Sequence, residues 1–328
     1  MSEALLQVSH LATEFVTEQG VARALDDISF QINAGETLGI VGESGCGKSV
    51  TSLSIMRLLP RPAGSIVSGE VLLQGQDLTR LAAHEMHHVR GNRIAMIFQE
   101  PMTALNPVYR VERQLGETLA LHNPQMSKAD IYAASVNMLQ RVGIPAPQRR
   151  MKEYPHQLSG GMRQRIMIAI ALLCEPEILI ADEPTTALDV TIQAQILQLL
   201  KELQQETGMA IIFITHDLGV IAEVCDRVLV MYAGRIIEQA DINTLFDRPL
   251  HPYTRGLLNA IPRLEKPAKQ ILSTIPGMVP SLFEFTRGCR FQNRCEYVEV
   301  ECKQNTPPLE GENDEHQVRC FRYRELYD

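Results

Sequence analysis

The feature that most constrains this chain is Gly42-Glu43-Ser44-Gly45-Cys46-Gly47-Lys48-Ser49, which fits the pattern G-x-x-x-x-G-K-[ST]. An apolar stretch, Thr37 to Val41, precedes it, and a helix-like stretch, Lys48 to Leu59, follows. Strand, glycine-rich loop and helix is the order this motif requires. The glycines let the backbone wrap with its N–H groups pointing inward, a nest for phosphate oxygens at a helix N-terminus. Lys48 supplies a positive charge for the β- and γ-phosphates, and Ser49 offers its hydroxyl to Mg²⁺. Cys46 stands at a variable position of the loop and reads as a spacer.

An acidic partner follows at Ile178-Leu179-Ile180-Ala181-Asp182-Glu183. An apolar strand ending in Asp182 places a carboxylate for Mg²⁺, reached through water, and Glu183 beside it can orient or deprotonate an attacking water. Taken alone, this segment is a strand end and a solvated turn. Beside the glycine-rich loop it becomes a second element of the same chemistry.

Other segments place these motifs in an α/β pattern. Strand-like pieces run from Leu5 to Val41, among them Ala22–Leu25 and Ile28–Ile32. Ile178–Ala181 leads toward a helix at Thr191–Glu206, and a further strand, Ala210–Ile214, ends before Thr215-His216-Asp217. Strands alternating with helices argue for a largely parallel sheet flanked by helices. From about residue 95 to 173 the pattern turns helical, with Val111–His122, Lys128–Val142 and Arg163–Leu173. A last helix is expected over Thr254–Ala260. Beyond Pro262, prolines, charges and cysteines dominate, which suggests a small module held by something other than a large core.

The 328 residues suit one large domain or two ordinary ones, and a 45% hydrophobic share supplies a real core. The longest apolar run, Ile166 to Cys174, is nine residues, where a membrane-spanning helix needs about 20. Met1-Ser2-Glu3-Ala4 has no basic start followed by an apolar stretch, so the expected location is the cytoplasm. A formal charge of −8 argues against a nucleic-acid partner.

Leu158-Ser159-Gly160-Gly161-Met162-Arg163-Gln164-Arg165 resembles the signature sequence of ATP-binding cassette (ABC) proteins. Ser159 and the glycines can present a hydroxyl and N–H groups at a helix start, which again suits phosphate. The resemblance implies an ABC nucleotide-binding domain over 1–250: a RecA-like P-loop core, an N-terminal antiparallel β subdomain and a helical subdomain inserted at about 95–173. It implies that Ser159, Gly160 and Gly161 reach the γ-phosphate of ATP held by an opposite subunit. Gln99 resembles the Q-loop glutamine that senses the metal. Ala187-Leu188-Asp189 resembles the D-loop, and His216 the switch histidine at the γ-phosphate. Phe15 is the candidate to stack on adenine, although a core position suits it equally.

Three further segments resemble the ATP-binding subunits of dipeptide and oligopeptide permeases, specifically the D-type. They are Phe98 to Pro107, His251-Pro252-Tyr253-Thr254 and Ile275-Pro276-Gly277-Met278-Val279-Pro280. The resemblance implies an ATPase at the cytoplasmic face of the inner membrane that drives uptake of di- and oligopeptides. Implied partners are a second, different ATPase subunit of F-type, two integral membrane permease subunits and an extracytoplasmic solute-binding protein. Nickel, glutathione, opine and oligosaccharide importers use related ATPases. A soluble ABC ATPase acting on nucleic acid is the more distant alternative.

Residues 251–328 form the expected C-terminal extension. There, Cys289, Cys295, Cys302 and Cys320 are separated by five, six and seventeen residues, with no C-x-x-C pair. The spacing leaves zinc, an iron–sulfur cluster and bare thiols all open. The permease resemblance implies a [4Fe–4S] cluster on all four, serving as a cross-link for a tail poor in apolar residues. Cys174 and Cys225 read as small core residues. His84-Glu85-Met86-His87-His88 fits H-E-x-x-H, but it lacks a third ligand and lies in a charged stretch, so a solvated helix face is the better reading.

Overall fold

The computed structural model describes residues 4–99, 104–185, 189–261, 274–285, 287–311 and 315–327. The chain divides into two compact units. One comprises Met1–Asn33, Thr37–Thr79 and Phe213–Asp328, and the other Ala34–Glu36 and Arg80–Ile212.

In the first unit, β1 (Leu6–Thr17) and β2 (Gly20–Ile32) form an antiparallel hairpin whose Thr17 hydroxyl donates to the Gly20 carbonyl at 3.0 Å. β4 (Gly64–Leu73) and β5 (Gln76–Asp77) complete a four-stranded antiparallel sheet in the order β2-β1-β4-β5. The two short pieces expected at Ala22–Leu25 and Ile28–Ile32 are one continuous strand. Asp27 between them adopts φ +61°, and the register shifts there, so a bulge absorbs the break in alternation. His10 takes φ +50° in β1, and its imidazole Nδ1 lies 2.7 Å from Asp27 Oδ1.

Also in this unit, β3 (Thr37–Val41) is buried along its whole length and runs parallel to β9 (Arg227–Tyr232). Burial on both faces explains why its residues are continuously apolar rather than alternating. Out of β3 comes the glycine-rich loop and then α1 (Lys48–Ile55), which is shorter than the expected Lys48–Leu59. Arg57 at φ +51° ends the helical path before Pro60. Thr13 of β1 and Ser54 of α1 share a buried hydroxyl–hydroxyl hydrogen bond of 2.8 Å, which ties the helix to the antiparallel sheet.

β9 turns through Ala233 and Gly234 into β10 (Arg235–Asp241). The tail then attaches to the free edge of β10. β12 (Gln317–Val318) pairs antiparallel with β10, and β11 (Glu310–Gly311) pairs with β12. Leu250, Val318 and Tyr323 make a small buried apolar cluster with Cys320 against it. Glu238 of β10 is fully buried. Its Oε1 accepts from the backbone N–H of Leu250 (2.6 Å) and its Oε2 from that of His251 (2.9 Å), and His316 Nε2 lies 2.9 Å from Oε1. The tail is therefore held by strand pairing, a small core and a buried carboxylate, where a cluster cross-link was expected.

In the second unit, β6 (Ile94–Ile97) and β7 (Ile178–Asp182) run parallel. Three helices pack pairwise: α3 (Val111–His122), α4 (Lys128–Arg141) and α6 (Gly160–Leu172). α6 starts three residues earlier than its apolar pattern suggests, because Ser159 caps it by accepting from the Met162 N–H at 3.4 Å. α7 (Val190–Thr207) is capped by Asp189 and closed by Gly208 at φ +70°. β8 (Ala210–Ile214) follows. Its first two N–H groups donate to the Glu177 and Glu36 carbonyls of this unit, and Thr215 beyond it donates to Ile40 of the first unit's own β3. Among the described residues no helix is long and apolar enough to cross a membrane.

Replacing Glu238 with Ala should strand two buried N–H donors and an imidazole, at a cost of about 3 kcal/mol. Urea unfolding followed by circular dichroism should show this loss, with the tail becoming more sensitive to limited proteolysis.

Candidate functional site

The loop Gly42–Ser49 has the geometry of a phosphate nest. Gly42 (φ +151°) and Gly47 (φ +107°) hold conformations that L side chains rarely adopt. A Cβ at Gly42 would collide with the Met231 carbonyl, and one at Gly47 would lie 2.9 Å from Leu25 Cδ2. Gly47 is the N-cap of α1 and has no side chain to cap with, and the N-terminus of a helix suits an anion. Lys48 is buried, and its ammonium donates to the carbonyls of Gly42 (2.8 Å) and Glu43 (3.1 Å). It thus bridges the loop that a phosphate would otherwise fill. Thr51 fastens the helix start to the Gly47 carbonyl through both its N–H and its hydroxyl.

Two loop residues are held from a distance. The Glu43 N–H donates to Tyr253 Oη at 2.8 Å, and the Glu43 carboxylate receives a two-pronged hydrogen bond from Arg294, at 2.6 and 3.1 Å. Burial alone would lower the Arg294 pKa, but its hydrogen bonds to Glu43 and Tyr232 raise it above the ordinary value. Burial likewise pushes the Tyr253 hydroxyl up, so it stays protonated. Cys46 is wholly buried and its thiol is shifted up by burial, which suits a packing residue of the loop.

In the second unit, β7 delivers Asp182, almost fully buried, and then Glu183 in a left-handed conformation at φ +48°. A non-glycine residue held there stores strain of the kind found at reacting sites. Gln99 Nε2 donates to Glu183 Oε2 at 3.0 Å, which brings these two expected residues together. Gln164 is buried, and its amide donates to the Pro184 carbonyl, bracing the turn after Glu183.

The start of α6 is open. Ser159 and Gly160 are exposed, and nothing lies within 4 Å of where a Cβ on Gly160 would be. A Cβ on Gly161 would lie 3.3 Å from Ile192 Cγ2, and the Ile192 N–H donates to Asp189 Oδ1 at 2.9 Å, so the expected signature and D-loop residues are neighbours. Ala187 and Leu188 of the D-loop, and residues 100–103 after Gln99, lie outside the described residues. In the first unit, His216 is exposed just beyond β8, where Asp217 caps the short helix α8 (Leu218–Val224). Phe15 is half-buried in β1 opposite Ala22 and Gly64.

Taken together, a glycine nest at a helix N-terminus, a buried lysine at its mouth and an acidic strand end define a P-loop nucleotide-binding protein. The chain belongs to the ATP-binding proteins of ABC transporters and is an ATPase. Residues 25–186 match the ABC transporter family, and residues 237–302 match the oligopeptide/dipeptide transporter C-terminal region. A probable peptide ABC transporter ATP-binding protein of Sinorhizobium fredii is 53% identical over 99% of this chain and 97% of its own length. The dipeptide transport ATP-binding protein DppD of Bacillus subtilis is 52% identical, covering 97% of this chain and 95% of itself. The oligopeptide transport ATP-binding protein OppD of Salmonella typhimurium is 51% identical, over 97% and 93% respectively. Among solved structures, the ATP-binding cassette MJ0796, in a dimeric post-hydrolysis state with ADP and Pi, superposes with a TM-score of 0.65 at 27% identity. It covers 72% of this chain and 98% of its own.

The [4Fe–4S] expectation is overturned. Cys289, Cys295, Cys302 and Cys320 do line one small cavity with His251 and Phe291. Among the described residues, however, no three His, Cys, Asp or Glu side chains are grouped to hold a metal ion. Burial raises the Cys289 thiol to about 11 and the Cys320 thiol to about 12, and shifts Cys295 upward. The H-E-x-x-H segment does not build a zinc site either. Only Met86–Val89 is helical (α2), so His84 and His88 do not share a helix face.

Sequence reasoning overlooked Tyr253, Arg294 and Gln164. Tyr253 lies within His251-Pro252-Tyr253-Thr254 and Gln164 within the Leu158–Arg165 segment, but Arg294 carries no sequence signal of its own. If the tail thiols are neutral, alkylation of Cys320 should climb about tenfold per pH unit from pH 7 to 10 without levelling, whereas an ordinary thiol levels near about 8.5. Mass spectrometry of iodoacetamide-treated protein reads this directly. A plateau near pH 8 would contradict it.

Proposed function

We propose that this chain is the ATP-hydrolysing subunit of an importer for di- and oligopeptides. The observation that carries the reading is the pairing of an ABC cassette, 25–186, with an oligopeptide-type C-terminal region, 237–302, in one chain. Relatives named for peptide, dipeptide and oligopeptide transport match along nearly the whole length. The division into a nucleotide-binding domain over 1–250 and an extension over 251–328 belongs to this reading. So does a peripheral place at the cytoplasmic face of the inner membrane. The partners it implies are two membrane permease subunits, an extracytoplasmic solute-binding protein and a second, F-type ATPase subunit.

Within this reading the backbone N–H groups of the loop, apart from that of Glu43, which stays on Tyr253 Oη, bind the triphosphate, and Lys48 leaves the Gly42 and Glu43 carbonyls for the β- and γ-phosphate oxygens. Ser49 and Asp182, with Gln99, supply hard oxygen donors of the kind Mg²⁺ takes. When bound, Mg²⁺ neutralises charge on the phosphate oxygens. Glu183 accepts a proton from the attacking water, and the 3.0 Å hydrogen bond from Gln99 orients its carboxylate. His216 contacts the γ-phosphate, and Phe15 stacks on the base. The open N-terminus of α6, with Ser159, Gly160 and Gly161, and the neighbouring Asp189 serve ATP bound by the opposite subunit. The exposed Ser159 and Gly160 support that role.

In the assembled complex, Glu183→Gln should retain ATP binding while hydrolysis falls at least about a hundredfold. Normal turnover would reject Glu183 as the base. Lys48→Ala should weaken binding of a fluorescent ATP analogue. Stimulation of ATPase activity by the solute-binding protein loaded with peptides, and not with other solutes, tests the substrate class.

A further inference from the structure

The seven residues from Cys289 to Cys295 grip the nucleotide loop from behind. Arg294 lies almost entirely buried with its guanidinium forked onto Glu43, at 2.6 and 3.1 Å. Its remaining donors are tied to the tail, with Nε donating to the Pro276 carbonyl at 2.8 Å and Nη2 to that of Ile275 at 3.3 Å. Four residues earlier, Arg290 donates to the Ala233 carbonyl and, at 2.6 Å, to Asp26. The Ala233–Gly234 turn donates in its own right to the loop, from the Gly234 N–H to the Cys46 carbonyl at 2.8 Å. Between the two arginines, Phe291 packs edge-on against Tyr232 and Tyr253, with ring centres 5.2 and 5.5 Å apart. Tyr253 closes the circuit by accepting the Glu43 N–H.

Loop residues 43 and 46 are thus fixed from outside on both sides of Gly45, the loop glycine whose surroundings leave it free. A nest binds phosphate well only when its N–H groups already converge, because ordering them on binding costs affinity. Lys48 cannot supply that order in the bound state, since its ammonium must leave the Gly42 and Glu43 carbonyls for the phosphates. A carboxylate held by a buried, two-pronged arginine keeps its position whether or not ligand is present.

We propose that Arg294 is a positioning residue for the nucleotide loop, holding it in its phosphate-binding shape through Glu43. This rests on the reading of the loop as an ATP site. It makes the C-terminal extension part of the ATPase rather than an appendage to it.

The test uses the full chain, with Mg-ATP displacing a fluorescent ATP analogue, and steady-state ATPase activity in the assembled complex. Arg294→Gln and Glu43→Gln should each raise the Kd for Mg-ATP by roughly tenfold, a coupling of ordinary size for groups in direct contact. In the complex, KM should rise by a similar factor while kcat changes little. The double variant should bind no more weakly than the weaker single variant, and Arg294→Lys should recover part of the loss. A purely structural role for Arg294 would lower the melting temperature and leave Kd and KM as they are, and that result overturns the proposal. So do losses that multiply in the double variant. If Arg294→Gln does not fold, Glu43→Gln decides alone, because its side chain is a third exposed, and unchanged affinity sinks the idea. Wild-type chain that fails to bind Mg-ATP would instead overturn the functional reading itself.

Discussion

A phosphate nest must hold its shape without the phosphate. Its N–H groups converge on a point and cannot bond to one another, so an unliganded loop needs restraints from elsewhere. Here Gly42 and Gly47 permit the required backbone, Met231 and Leu25 leave no room for any other residue there, and Lys48 spans the opening. The parallel strands β3 and β9 fix where the loop leaves the sheet, and Thr13 and Ser54 fix the helix that follows. Most of the first unit can be read as support for these eight residues.

The tail shows a second constraint, a fully buried carboxylate with hydrogen-bonding partners. Glu238 stands in the middle of β10 and draws together the backbone at Leu250 and His251 and the imidazole of His316. Two segments, one twelve residues away and one 78, are fixed to β10 by one side chain. His251 then places Tyr253 by accepting its N–H at 3.0 Å, and Tyr253 reaches the nucleotide loop. Burial holds His251 neutral, with its pKa near 3, so it can accept that bond at any ordinary pH.

Local chemistry was legible in the sequence, and long-range closure was not. The glycine loop, β7 with Asp182, and helices such as Val111–His122 followed from apolar pattern and motif, because each depends on neighbours within a few residues. β2 read as two pieces because Asp27 breaks its alternation, and only pairing with β1 reveals the bulge. The start of α6 at Gly160 was hidden because two glycines carry no helical periodicity, whereas the Ser159 cap does the work. The two-residue strand Gln317–Val318 has no pattern to detect. Cysteine spacing left the tail's chemistry open, the permease resemblance alone implied a cluster, and neither could show how apolar the surroundings were or how the thiols were grouped. Of the residues proposed for the site, the sequence indicated the type of chemistry at each. The Gln99–Glu183 bond and the Arg294–Glu43 pair are facts of tertiary structure alone.

The ion pair between Glu43 and Arg294 joins residues 251 positions apart. During synthesis the loop emerges well before its brace, separated by tens of seconds at about 5–20 residues per second. Throughout that interval the nascent loop lacks its distal support. A chain truncated before residue 294 would carry the whole nucleotide motif and still lack the contact that holds it ready. Synthesis through residue 294 thus becomes a condition for a finished nucleotide site, and a copy that stops short of it is poorly equipped to spend ATP.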